Sequence, residues 1–217
     1  MGSAPPYPDR PRREQLLDLL FPPLCVGCRR VGRWICDRCW PHVEWLDPAD
    51  RTRRRAGSPL ESITAVTNFT GSAREAVHAL KYEGHHAISG LMGRLMAEAV
   101  SDTDAIVVHA ALHRSRRRER GYDQSAMLAD VIASAGRLRR DNALLRTRRT
   151  EQQASLDRDR RADNVRGAFM ARQDLTGKTI ILVDDVSTTG ATLEAAAEAL
   201  RAAGAARVRG LVFARAT

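Results

Sequence analysis

The 217-residue chain has no run approaching the roughly 18 consecutive apolar residues that a membrane-spanning helix needs, and Met1–Arg13 is polar and proline-rich. That start lacks the apolar core of a secretory signal, so a cytoplasmic protein is expected. Lysine is almost missing: of 35 basic residues only Lys81 and Lys178 are lysine, which leaves 33 arginines and a net charge of +9. The bias has two readings. Guanidinium groups suit bidentate recognition of phosphate, and a GC-rich coding sequence would give the same composition, so charge alone does not assign a nucleic-acid partner. Aromatic residues make up only 5% of the chain, too few for a broad base-stacking surface. Trp34, Trp40 and Trp45 all fall close together, as either a small core or a stacking platform.

Cysteine is limited to four residues, Cys25, Cys28, Cys36 and Cys39, in two Cys-x2-Cys pairs. Such pairs can converge four thiolates tetrahedrally on a structural Zn²⁺ and leave no thiol over. Residues 21–45 hold too few apolar side chains for an independent core, and metal binding can contribute on the order of 10 kcal/mol, so this region is expected to need its metal to fold. Two disulfides or a redox pair are the alternatives, and both sit poorly with a chain lacking a secretory signal.

The segment Thr179-Ile-Ile-Leu-Val-Asp-Asp-Val-Ser-Thr-Thr-Gly-Ala-Thr-Leu193 carries the densest chemistry. Ile180–Val183 reads as a strand buried on both faces, ending at Asp184. Asp184 and Asp185 would then diverge from its carboxyl edge, where open α/β sheets place ligands, and neither need be buried. Ser187, Thr188, Thr189 and Gly190 precede a helix opening at Ala191, whose free N–H groups favour an anion the size of a monophosphate. Gly177-Lys178-Thr179 imitates the tail of a P-loop, but Arg172 stands where the first glycine belongs and a strand follows, which excludes that reading.

Around this motif strand and helix signals alternate, the pattern of a parallel α/β sheet. Strands are expected at 62–69, 104–109, 179–183 and 207–213, and helices at 72–81, 88–100, 124–134 and 191–203. A short helix over 14–20 stops before Pro22, and 47–60 reads as an Arg/Pro-rich solvated linker between an N-terminal unit (1–46) and the main domain (61–217). Two basic segments can neutralise a polyanion: the turn 112–121, with His113, Arg114, Arg116, Arg117, Arg118 and Arg120, and the long polar stretch 147–167, a lid candidate with Arg149, Gln152 and Arg160.

The acidic turn resembles the phosphoribosyl-diphosphate (PRPP) loop of type I phosphoribosyltransferases. That resemblance implies that Asp184 and Asp185 hold the ribose hydroxyls as the catalytic pair. It also implies that Val186, Ser187, Thr188, Thr189, Gly190, Ala191 and Thr192 hold the 5′-phosphate, and that Mg²⁺ accompanies the pyrophosphate.

Nearly the whole chain is similar to the ComF family of competence-associated phosphoribosyltransferase-like proteins. The shared marks are the cysteine pairs, Lys81-Tyr-Glu-Gly84, the stretch from Leu112 to Gln124, Arg149-Thr-Glu-Gln-Gln153, Arg160, Asn164, Gly167, Phe169, the acidic turn and Ala214-Arg215. The chain departs from the family pattern twice, with Val108-His-Ala-Ala-Leu112 in place of Val-Pro-Val-Pro-Leu and Gly121-Tyr-Asp-Gln124 in place of Gly-Phe-Asn-Gln. Losing both prolines frees φ and adds backbone donors in the would-be pyrophosphate loop. The resemblance implies an α/β, parallel-sheet type I phosphoribosyltransferase fold behind a small four-cysteine zinc module. It also implies transfer of the phosphoribosyl group to an acceptor the residues do not identify, or a non-catalytic role with single-stranded DNA or DNA-uptake and recombination proteins. No residue stands out as a general base.

Overall fold

A computed structural model describes residues 2–9, 11, 20–148 and 165–216. Its main sheet contains β1 (Thr52–Arg54), β2 (Ser62–Asn68), β3 (Ile106–His109), β4 (Arg139–Asp141), β7 (Thr179–Ser187) and β8 (Arg207–Arg215). The strand order is β1-β2-β8-β7-β3-β4, and every pairing is parallel except that of β1 with β2. A separate antiparallel ribbon joins β5 (Leu144–Arg146) to β6 (Phe169–Ala171). Helices among the described residues include α1 (Gly71–Tyr82), α2 (Ile88–Ala97), α3 (Arg114–Arg120), α4 (Gln124–Gly136) and α5 (Ala191–Ala202).

Alternation along β7 explains the layering. Ile181 and Val183 face one apolar cluster, with Leu80 of α1, Leu91, Met92 and Leu95 of α2 and Leu128 and Ile132 of α4. Ile180 and Leu182 face the other, with Leu193, Ala196, Ala197 and Leu200 of α5. The sheet is thus covered on both sides, as a parallel sheet requires. Gly93 lets α2 approach α4, since a Cβ there would lie 2.6 Å from Cβ of Val131.

The strands and helices expected from periodicity are present with shifted ends, and four features differ. First, β7 does not end at Asp184. Its parallel register with β8 continues through Val186–Ala214 and Ser187–Arg215, so the acidic pair lies within the paired part of the strand. Second, the segment read as a solvated linker includes β1, an exposed edge strand bound to β2 and supported by a 2.8 Å contact between the hydroxyls of Thr52 and Thr64. Third, the basic turn after β3 is helical over α3. Fourth, β4, β5 and β6 are three residues each, too short to show a periodicity. The expected helix at 14–20 falls almost wholly outside the described residues.

The tryptophans are core. Trp34, Trp40 and Trp45 are 9%, 8% and 1% exposed and join the cluster beneath α1, which rules out a stacking platform built from them. Trp40 and Trp45 pack with ring centroids 4.6 Å apart, and Tyr7 covers Trp40 at 4.7 Å. The cysteine-bearing segment runs directly onto the sheet through the Leu46 N–H, which donates to the Val66 carbonyl at 3.0 Å.

Candidate functional site

The carboxyl ends of β2, β3 and β7 enclose a cleft of about 320 Å³, and both acidic residues line it. Successive β7 side chains diverge as strand geometry dictates. Asp184 turns towards α4, where Ser125 Oγ donates to its Oδ1 at 2.7 Å. Asp185 turns towards α1, where Lys81 Nζ lies 2.6 Å from its Oδ1. The expectation that neither carboxylate need be buried is corrected here, because Asp185 is only 2% exposed. Its burial follows from β7 continuing past it and from α1 covering that face of the strand.

The pair is electrostatically tense. Burial, and then the adjacent Asp185 carboxylate, push Asp184 up to about 7, outweighing Lys81, the Ser125 hydroxyl and the Asp185 N–H that favour its ionised form. For Lys81, burial works against the ammonium, but Asp185 and then Asp184 more than offset it, so its pKa lies above the usual lysine value. Among the described residues Asp185 Oδ2 is a buried oxygen with no hydrogen-bond donor.

Val186 of β7, Thr188 of the turn and Thr192 of α5 line the cleft. Ser187 is instead 7% exposed and points into the protein. Thr189 Oγ1 accepts from the Ala191 N–H at 3.3 Å. Gly190, at φ 86°, caps α5 in the left-handed region, which only glycine enters without strain. A Cβ there would meet Arg55 Nη1 at 2.9 Å. Arg55 is tied to this corner by an ion pair with Glu194 at 2.8 Å.

Helical geometry selects among the arginines of α3. Residues four apart share a face, and Arg116 and Arg120 line the cleft while Arg114, Arg117 and Arg118 are exposed outside it. His113 caps α3, its Nδ1 accepting from the Ser115 N–H at 3.3 Å. Arg120 donates to Gln124 Oε1 at 3.1 Å and sits 5.1 Å over the Tyr82 ring. Arg149, Gln152 and Arg160 lie outside the described residues.

Several residues of the cleft and its wall were given no site role from the sequence: Lys81, Tyr82 and Gln124, noted only as family marks, line it with Phe69 and Arg146, and Ser125 stands behind Asp184. Lys81 carried a signal in the composition, since a chain that uses arginine 33 times in 35 keeps a lysine here. A compact ammonium on a flexible stem and a planar, forked guanidinium are not interchangeable beside a carboxylate. Arg146 sits on β5, a strand too short to be foreseen, and is 9% exposed.

Away from the cleft, Cys25, Cys28, Cys36 and Cys39 bring their four sulfurs within 4.8 Å of one another. Four sulfurs around one tetrahedral metal at about 2.3 Å are about 3.8 Å apart, so this cluster can hold a metal ion with small adjustments. The Cys36 N–H donates to Cys25 Sγ at 3.3 Å, the kind of backbone donor that steadies a thiolate. Although burial opposes it, hydrogen bonds from the Cys39 and Arg38 backbone and from neighbouring sulfurs hold the Cys36 thiol down at about 6.

No helix among the described residues is long and apolar enough to cross a membrane. The family model for a phosphoribosyl transferase domain matches residues 124–216. The chain is 26% identical over 196 residues to the DNA utilization protein YhgH of Escherichia coli K12, covering 86% of each. It is 22% identical over 207 residues to Competence protein F of Haemophilus influenzae, covering 89% of this chain and 90% of the relative. It is 26% identical over 191 residues to Competence protein ComFC of Bacillus subtilis, covering 82% of this chain and 77% of the relative.

Proposed function

The chain belongs to the ComF family and carries a phosphoribosyl transferase domain, and from that premise we propose that it binds PRPP with Mg²⁺ in the β7 cleft and transfers the phosphoribosyl group to an acceptor. The observation that carries the reading is the orphaned Asp185 Oδ2 in a cleft that also presents Lys81, Arg116, Arg120 and Arg146. A buried carboxylate oxygen without a donor is costly, and a ribose hydroxyl or a metal ion entering the cleft would satisfy it.

In this reading Asp184 and Asp185 take the ribose 2′ and 3′ hydroxyls, and the Val186–Thr192 turn takes the 5′-phosphate with the N–H groups opening α5. Arg116 and Arg120 face the pyrophosphate, with Arg149, Gln152 and Arg160 as further candidates from the 147–167 segment. Mg²⁺ bound with PRPP would supply positive charge against the charge that develops on the leaving group. The C1–oxygen bond to pyrophosphate breaks with its electron pair leaving on pyrophosphate, the acceptor's nucleophilic atom bonds C1, and the acceptor's proton passes to solvent. The protein's own residues mainly position and neutralise.

The four-cysteine cluster is proposed to hold a structural Zn²⁺, with residues 1–46 forming that unit, 47–60 the connection, and 61–217 the phosphoribosyltransferase-like domain. A cytoplasmic role linked to competence and DNA uptake completes the proposal, and the relatives' names support its link to competence and DNA utilization. The test is pyrophosphate release from PRPP and Mg²⁺ across a panel of nitrogenous acceptors. Release dependent on one acceptor and lost in Asp184→Asn, Asp185→Asn supports the reading, and no release with any acceptor contradicts the transferase part of it.

A further inference from the structure

His109 and Asp123, one from each of the two segments set apart in the sequence, meet beneath the cleft. His109, at the end of β3, is 8% exposed, and its Nε2 lies 3.7 Å from Asp123 Oδ2. On the other side of the ring, Arg140 Nη2 sits 2.8 Å from Nδ1. Arginine can only donate, so Nδ1 accepts and the ring proton resides on Nε2, facing Asp123. Arg140 is itself anchored by Asp130 Oδ1 at 2.9 Å from its Nε.

Asp123 is also buried and makes two backbone contacts. Its Oδ1 accepts from the Ala126 N–H at 3.2 Å, capping α4, and its Oδ2 accepts from the Leu112 N–H at 2.9 Å. Leu112 lines the cleft two residues ahead of α3, and α4 carries Ser125, the donor to Asp184. One carboxylate therefore locks the β3–α3 loop to the helix that supports the acidic pair.

We propose that His109 is a positioning residue: held as the neutral Nε2–H tautomer by Arg140, it steadies Asp123 and thereby fixes the Leu112 N–H and the loop that presents Arg116 to the cleft. The charged groups facing the ring are Asp123 and Asp130 of the α4 segment, Arg140 of β4 and Arg117 of α3. Burial, helped by Arg140 and Arg117 and opposed by Asp123 and Asp130, holds its pKa below the usual imidazole range, in keeping with a neutral ring. The role of the loop in binding rests on the PRPP reading of the cleft; the local coupling does not.

The experiment uses the full-length, metal-replete chain. In His109→Leu, hydrogen exchange at the Leu112 amide should quicken about tenfold, the scale of a hydrogen bond weakened by roughly 1.4 kcal/mol. His109→Gln, whose amide can accept from Arg140 and donate to Asp123, should restore protection. Imidazole ¹⁵N shifts of the unmodified protein at neutral pH should show Nδ1 unprotonated, a readout that survives if the leucine variant does not fold. Unchanged Leu112 protection in a folded His109→Leu, or a ring protonated on Nδ1, overturns the proposal. Affinity for pyrophosphate with Mg²⁺ should fall about tenfold in His109→Leu and recover in His109→Gln, on the same energetic scale. Absence of pyrophosphate binding by the unmodified chain would sink the cleft reading, while exchange at Leu112 still decides for or against His109.

Discussion

Lys81 Nζ and Asp185 Oδ1 lie 2.6 Å apart in the wall of the cleft, the ammonium from α1 meeting a carboxylate from the central strand β7. The pair joins two elements that belong to different layers of the fold, and it leaves Asp185 Oδ2 without a donor.

Breaking that pair from one side should be costly, because it strands a buried charge. Lys81→Met is expected to destabilise the chain by about 3–5 kcal/mol. Lys81→Arg should recover only part of this, since the forked guanidinium needs room that the compact ammonium does not. Thermal and denaturant unfolding of both variants checks the order; Lys81→Met as stable as the unmodified chain contradicts it.

Asp184 predicts a pH dependence. Its carboxyl is pushed up to about 7 in the fold against 3.8 as its ordinary value, so between those limits the folded state holds a proton that the unfolded state has released. The stability contributed by this group is fully present below its ordinary pKa and is lost as pH rises through about 7. Asp184→Asn, permanently neutral, should flatten that limb of the stability profile. A profile with the same slope in both proteins contradicts the assignment.

How far the site could be read from the chain depends on the length over which each pattern repeats. The Ile180–Val183 run announced a central strand, and the apolar spacing of α1, α2, α4 and α5 announced helices, because each repeats over several turns. The divergence of Asp184 and Asp185 followed from strand alternation alone. Their burial did not, because it depends on pairing with β8 and on α1 packing above, both long-range. Ser125 and Arg146 reach the site only through tertiary folding, Arg146 from a three-residue strand. The structure also shows why the arginines of α3 are not equivalent, a distinction invisible while that segment read as a turn.

Gly190 should tolerate no side chain. At φ 86°, its Cβ would press on Arg55 Nη1 at 2.9 Å and Ile63 Cδ1 at 3.0 Å, and the left-handed backbone alone costs an alanine about 1–2 kcal/mol. Gly190→Ala is expected to lower the melting temperature by several degrees and to weaken any binding of ribose 5-phosphate at the turn. Calorimetry with that ligand checks both; unchanged stability and affinity contradict the role given to this turn.

The cysteine cluster should retain about one zinc per chain after extensive dialysis, and chelation should unfold the N-terminal unit together with its tryptophans. The indoles of Trp40 and Trp45 report this directly, since both are buried and should redshift in emission on exposure. A metal ratio near zero, or emission unchanged by a strong chelator, contradicts a structural zinc site.

The most direct test of the central claim is calorimetric titration of PRPP with Mg²⁺ into the zinc-loaded chain, beside the folded Asp184→Asn, Asp185→Asn variant. Binding by the unmodified protein that disappears in the variant is the predicted result. No binding by the unmodified protein, or equal binding by both, would contradict a ribose-phosphate site at the end of β7.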